Sequence, residues 1–293
     1  MGKSISIQGK NIIIFYCSSL KTLGLESRVS LPNKTGENTN AYVQVFTTSG
    51  EFVQEKSLDE VADKSIIAVE LNDLYRDFQL DSTFDYVFLF SLIPANYTPS
   101  DFQDIELGEV SRLNSTQDFY IEHYIESSIS AGVLYQASPV MNNKSIIPQF
   151  YFFMQAPKIF LSEHQDTIFQ FFNPNISREP ENSKLYFFIR ESNGDILCKG
   201  ELNVSSNGMS MLSVKETLQN NNITPPNGFL HFEAFSDEAI FITLTMQYNK
   251  SLETMDLEHT LSPHYYLQKN KMDKKSTHSY YSDLYNSHVN KSV

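Results

Sequence analysis

The residues best placed to do chemistry are a histidine and a carboxylate two positions apart, His231 and Glu233, in the apolar run 229–235. Side chains at i and i+2 of a strand share one face, so this pair could converge on a single metal ion. Further ligands would have to come from Glu258, His259 and His264, near the end of the same half. With them the site reads as the centre of a metal-dependent enzyme. Asp101, Asp104, Glu106 and Glu109 offer the hard oxygen ligands that Ca²⁺ takes. Their spacing matches no EF-hand loop, and Gly108 stands at the wrong place for one, so the run reads as a solvated acidic face. Glu122 and His123, with Glu126 nearby, could supply an acid and a base. Neighbours on a strand point to opposite faces, which argues against their cooperation. The 22 phenylalanines and 16 tyrosines could stack on sugar rings, which keeps a carbohydrate-binding module open; the chain has no Trp, which counts against it.

Other chemistries lack their signatures. The 11 glycines form neither G-x-G-x-x-G nor a P-loop. There is no G-x-S-x-G elbow, no H-E-x-x-H and no C-x-x-C. No cofactor is expected. Cys17 and Cys198, the 2 cysteines, sit in apolar runs and read as buried free thiols. The net charge is −13, and an acidic surface repels phosphate backbones, so nucleic acid is not an expected partner. No apolar stretch has the length of a membrane span or of a secretory signal. The expected location is the cytoplasm, or export without a signal peptide. Met1-Gly2-Lys3-Ser4-Ile5-Ser6 fits a short acylation pattern but reads as an ordinary start.

The elements that must position these groups are strands. Aromatic and β-branched residues recur in short runs separated by turn signals. The clearest is the hairpin 184–202, in which Leu185–Ile189 and Asp195–Gly200 flank Ser192-Asn193-Gly194. Residues 40–58 repeat it, with Gly50 standing 144 positions before Gly194. Both glycines are expected at tight turns with positive φ. Leu74 and Leu218 keep the same separation, whereas Ala137-Ser138-Pro139 and Leu261-Ser262-Pro263 stand 124 apart. A constant offset with one local indel is what a duplicated unit leaves, and the indel falls on 94–114.

The fold expected is therefore all-β: tandem antiparallel β-sandwiches, immunoglobulin-like or jelly-roll, built as two repeated units. Unit 1 spans 1–145 with a short helical insertion at 94–114, unit 2 spans 146–267, and 268–293 is a mobile tail containing Lys and Tyr. Ser57-Leu58-Asp59-Glu60 and Ser100-Asp101-Phe102-Gln103 match capping boxes, and Asn72–Phe78 reads as a helical turn with Leu74 and Phe78 inward. In Phe150–Met154 five apolar residues cannot all face one core, which marks Tyr151 and Phe153 as a candidate interface for a protein partner or for self-association. The function expected is a non-enzymatic binding or assembly module. Its contact surface would lie where the two units meet, since clefts favour domain interfaces.

Overall fold

A computed structural model describes residues 5–7, 10–98, 110–112, 118–125, 129–136, 150–175, 181–249, 254–258 and 264–268. The first unit comprises β1 (Ile5–Ile7), β2 (Lys10–Ser18), β3 (Glu26–Pro32), β4 (Thr39–Thr47), β5 (Phe52–Val61), β6 (Ile66–Glu70), α1 (Leu71–Phe78), β7 (Tyr86–Pro94), β8 (Val110–Arg112), β9 (Asp118–Ile125) and β10 (Ile129–Gln136). The second comprises β11 (Phe150–Leu161), β12 (Gln165–Phe172), β13 (Asn182–Glu191), β14 (Ile196–Ser205), β15 (Met209–Ser213), α2 (Val214–Asn220), β16 (Gly228–Ser236), β17 (Ile242–Asn249), β18 (Thr254–Glu258) and β19 (His264–Gln268).

Among the described residues all pairing is antiparallel, and the strands form four sheets. One sheet of the first unit runs β5-β4-β7-β2-β1-β8 and the other β10-β9-β3-β6. In the second unit the orders are β14-β13-β16-β11-β19 and β18-β17-β12-β15. Matched from β2 and β11 onward, the units share one strand order, and each places its helix directly after the edge strand β6 or β15. They differ where β1 and β8 extend one sheet and β19 the other.

The likeness reaches single hydrogen bonds. Asn33 and Asn173 each end a strand and turn their side-chain amide on a carbonyl of the neighbouring hairpin. Asn33 Nδ2 donates to Val61 O at 2.8 Å, and Asn173 Nδ2 to Val204 O at 2.9 Å. The backbone of each asparagine also brackets a left-handed residue, Lys64 at φ 61° or Asn207 at φ 59°, whose N–H it accepts. Ser27 and His123 pair across strands at 2.7 Å, and Thr167 and Gln247 hold the same register at 2.9 Å.

Some local signals lost to tertiary pairing. The Ser57–Glu60 motif lies inside β5, where Ser57 faces Tyr42 and Glu60 faces Asn40. A partner strand outweighs a capping signal, because it satisfies backbone groups all along the segment rather than one or two. Conversely, Val214–Asn220 is helical: the Ser213 side chain accepts the Glu216 N–H at 3.0 Å, the cap of an S-x-x-E sequence. The expected turn at Asn72–Phe78 is the helix α1, with Leu74 and Phe78 buried. Within the insertion Val110–Arg112 is extended and pairs with β1, not helical; 99–109 and 113–117 lie outside the described residues, as does the tail beyond Gln268. No helix among the described residues is long and apolar enough to cross a membrane.

Candidate functional site

The two units meet face to face. Phe169 and Phe171 on β12, and Phe241 just before β17, belong to the second unit's own core. Thr243 pairs with Phe171, and Thr245 with Phe169, so these buried threonines share that inner face. The alternate residues Ile168, Phe172, Ile242, Leu244 and Met246 point the other way and join the core cluster of the first unit. Opposite them lies β2, whose Tyr16 and Ser18 carry polar groups into the layer. The Tyr16 hydroxyl donates to Asn207 Oδ1 at 2.9 Å, and Ser18 Oγ donates to Gln170 Oε1 at 2.7 Å. Burial pushes the Tyr16 phenol well above its ordinary pKa, so it stays a donor at any physiological pH. The amide Nε2 of Gln170 is buried without a partner.

The β4–β5 turn closes the rim of this seam. Gly50 has φ 85°, and Thr48 O accepts the Met209 N–H at 2.9 Å. A Cβ on Gly50 would stand 2.2 Å from Ser206 O, so only glycine lets the two backbones approach this closely. Gly194, at the matching turn of the second unit, has φ 94° and open space around it.

Beside this turn the seam opens into a cleft of about 430 Å³. Its walls are Thr22, Thr47, Thr48, Phe84, Asp85 and Tyr86 from the first unit, and Met209 and Met211 from the second. A chain of hydrogen bonds holds the first wall. Tyr86 N–H donates to Ser19 Oγ at 2.9 Å, Ser19 Oγ lies 2.5 Å from the Tyr75 hydroxyl, and that hydroxyl donates to Phe84 O at 2.8 Å. Asp85 accepts the Thr22 N–H at 3.2 Å on one oxygen and the Thr22 hydroxyl on the other. Asp85 is 7% exposed and Phe84 59%. Nothing in the sequence marked these residues, which are contributed by separate loops and strands. The available signal was the nearly all-apolar run Phe84–Ile93, which reads as a strand buried on both faces and contains Phe84, Asp85 and Tyr86.

The sequence-predicted residues fall elsewhere. His231 and Glu233 lie on β16; His231 is exposed, and Glu233 binds Arg190 Nε at 2.9 Å. A carboxylate already held by a guanidinium is a poor metal ligand. His264 pairs with Met154 in β19, and His259 lies outside the described residues. No group of three or more His, Cys, Asp or Glu suited to a metal occurs among the described residues. Phe153 is buried against Phe235, ring centres 4.9 Å apart, on a strand flanked by β16 and β19. Its ring thus belongs to packing within the chain. Tyr151 pairs with Leu267. Glu122 faces Arg28 on the outer side of its sheet while His123 is buried, so those two do occupy opposite faces. Cys17 and Cys198 are buried free thiols.

No family model matches the chain, and no curated protein matches it. Among solved structures, a β-glucuronidase from Bacteroides uniformis aligns at 10% identity and TM-score 0.18, over 91% of this chain and 26% of that one. A putative β-galactosidase from Bacteroides fragilis aligns at 9% identity and TM-score 0.20, over 90% and 34%. An exo-chitosanase from Amycolatopsis orientalis aligns at 9% and 0.16, over 79% and 25%. The chain thus spans about a third or less of the length of these proteins, and similarity this low carries no argument.

Proposed function

We propose that the chain acts by binding rather than by catalysis, as a module of two sandwiches, residues 1–145 and 146–267, whose recognition site is the cleft at their seam. The observation that carries this reading is the pairing of a buried, hydrogen-bonded interface with an open cleft beside it. An apolar interlayer with polar anchors holds the two walls in fixed relation, and a preorganised concavity loses little entropy on binding. A protein or small-molecule ligand is expected there.

Methyl NMR with labelled Met and Thr tests the proposal. Titration with peptide, oligosaccharide and small-molecule libraries should yield ligands that shift Met209, Met211 and Thr48 first. Phe84→Ala should weaken their binding without altering the melting temperature. Ligands that shift only methyls remote from the cleft would overturn the assignment. Inclusion of oligosaccharides examines the carbohydrate-binding alternative in the same experiment.

A further inference from the structure

Resting on that reading of the cleft, the chemistry of its walls narrows the ligand. Asp85 is a carboxylate with 7% exposure, and none of the ion pairs among the described residues includes it. The nearby Lys21 amine is held instead by Asn72 Oδ1 and lies 5.5 Å from the Tyr75 ring centre. A carboxylate is acceptor-only, with about four lone-pair sites, and Thr22 uses two of them. Burying a charge without a counter-ion is costly, so a site of this kind favours an incoming cation.

The rest of the wall distinguishes between donors. A sugar would need many polar partners, but few remain. The Thr22 hydroxyl is committed to Asp85; the Thr47 hydroxyl pairs with Ser49 Oγ at 2.8 Å and accepts the Glu51 N–H at 3.0 Å. Beyond these the cleft is mostly apolar or soft, with the exposed Phe84 ring, the Tyr86 ring and the thioethers of Met209 and Met211, and its remaining hydroxyls are those of Thr48 and Tyr86. Aromatic faces attract cations, and methionine adapts to alkyl chains.

We infer that the cleft takes an organic cation, an ammonium or guanidinium group on an apolar stem, with the Asp85 carboxylate as its counter-ion. Such a group is found on a lysine or arginine side chain of a partner protein and on a free amine.

The test is titration of the full chain with n-butylammonium, its neutral analogue 1-butanol, and a capped Gly-Lys-Gly peptide, read by the Met209 and Met211 methyl shifts. Butylammonium should bind at least about tenfold more tightly than butanol, the size of one good charge-assisted contact. Asp85→Asn should remove that preference, while Thr22→Val, which alters the support but not the charge, should keep it. The ratio in the unaltered protein decides the matter even if Asp85→Asn fails to fold. Tighter binding of the peptide than of butylammonium would identify a protein side chain as the source, and the reverse a free amine. Equal shifts with butanol and butylammonium would overturn the cation inference and leave the cleft a binding site. If none of the three probes moves the two methionines, both readings fall.

Discussion

Facing away from the core on β10-β9-β3-β6 are Arg28, Glu70, Glu122 and Tyr124. At the matching ladder positions on β18-β17-β12-β15 stand Ile168, Ser213, Met246 and Tyr248. The first set forms a surface network. Arg28 lies 2.5 Å from Glu70 and 3.9 Å from Glu122, and the Tyr124 hydroxyl donates to Glu70 at 2.8 Å. Desolvation pushes the Tyr124 phenol above its ordinary pKa, reinforced by its bond to Glu70. Of the second set, Ile168 and Met246 are buried with Phe172, Ile242 and Leu244 in the core cluster of the first unit, and Tyr248 packs partly buried against it. Two sheets of one strand order thus meet different surroundings. Each buried apolar side chain in the seam contributes about 1.5–3 kcal/mol, whereas exposed ion pairs contribute about 0–1 kcal/mol. The seam is therefore held by apolar area, and its polar bonds fix register.

Exchanging residues between these faces should give the largest effect. Met246→Glu places an unpaired charge in the seam and should cost more than about 3 kcal/mol in chemical denaturation. The reciprocal Glu122→Met should change stability by less than about 0.5 kcal/mol. Similar costs for the two would dissolve the contrast.

The paired turns give the next contrast. Gly50→Ala must both adopt positive φ and push aside Ser206 O across the seam, so a loss of about 2 kcal/mol or more is expected. Gly194→Val meets only the backbone strain and should cost about 1 kcal/mol. Equal shifts of the denaturation midpoint would mean that the seam yields at Gly50.

Tyr16→Phe leaves Asn207 Oδ1 without its phenolic donor and should cost about 1–2 kcal/mol. A value near zero would show that the apolar layer alone sets the register.

At neutral pH the smallest effect is expected from His123→Gln, which imitates Gln247 at the matching position. Burial lowers the His123 pKa to about 3, below the ordinary 6.5. The unfolded chain therefore binds the extra proton between those values, and stability is full above about pH 6.5 and falls as pH drops towards 3. The glutamine variant should flatten that part of the stability–pH curve; an unchanged slope would place the acid sensitivity elsewhere.

The strands and the two turn glycines were legible in the sequence because they follow from local rules: alternation and turn chemistry. The alternation of Ile242, Leu244 and Met246 with Thr243 and Thr245 was equally plain, yet its meaning was not. An apolar stripe must be covered, but period-two patterning does not say by which layer. Here the stripe covers the neighbouring unit, and the threonines face the home core beside Phe169 and Phe171. The same limit explains why His231 and Glu233 drew notice and Asp85 did not. Spacing along a strand shows which side chains share a face, so the histidine and glutamate stood out. The cleft joins Thr22, the turn at Thr47–Thr48, Phe84–Asp85 and β15, segments up to about 190 residues apart. Their meeting depends on how two finished sheets stack, a choice made by summed burial across the whole seam that no short stretch of sequence encodes.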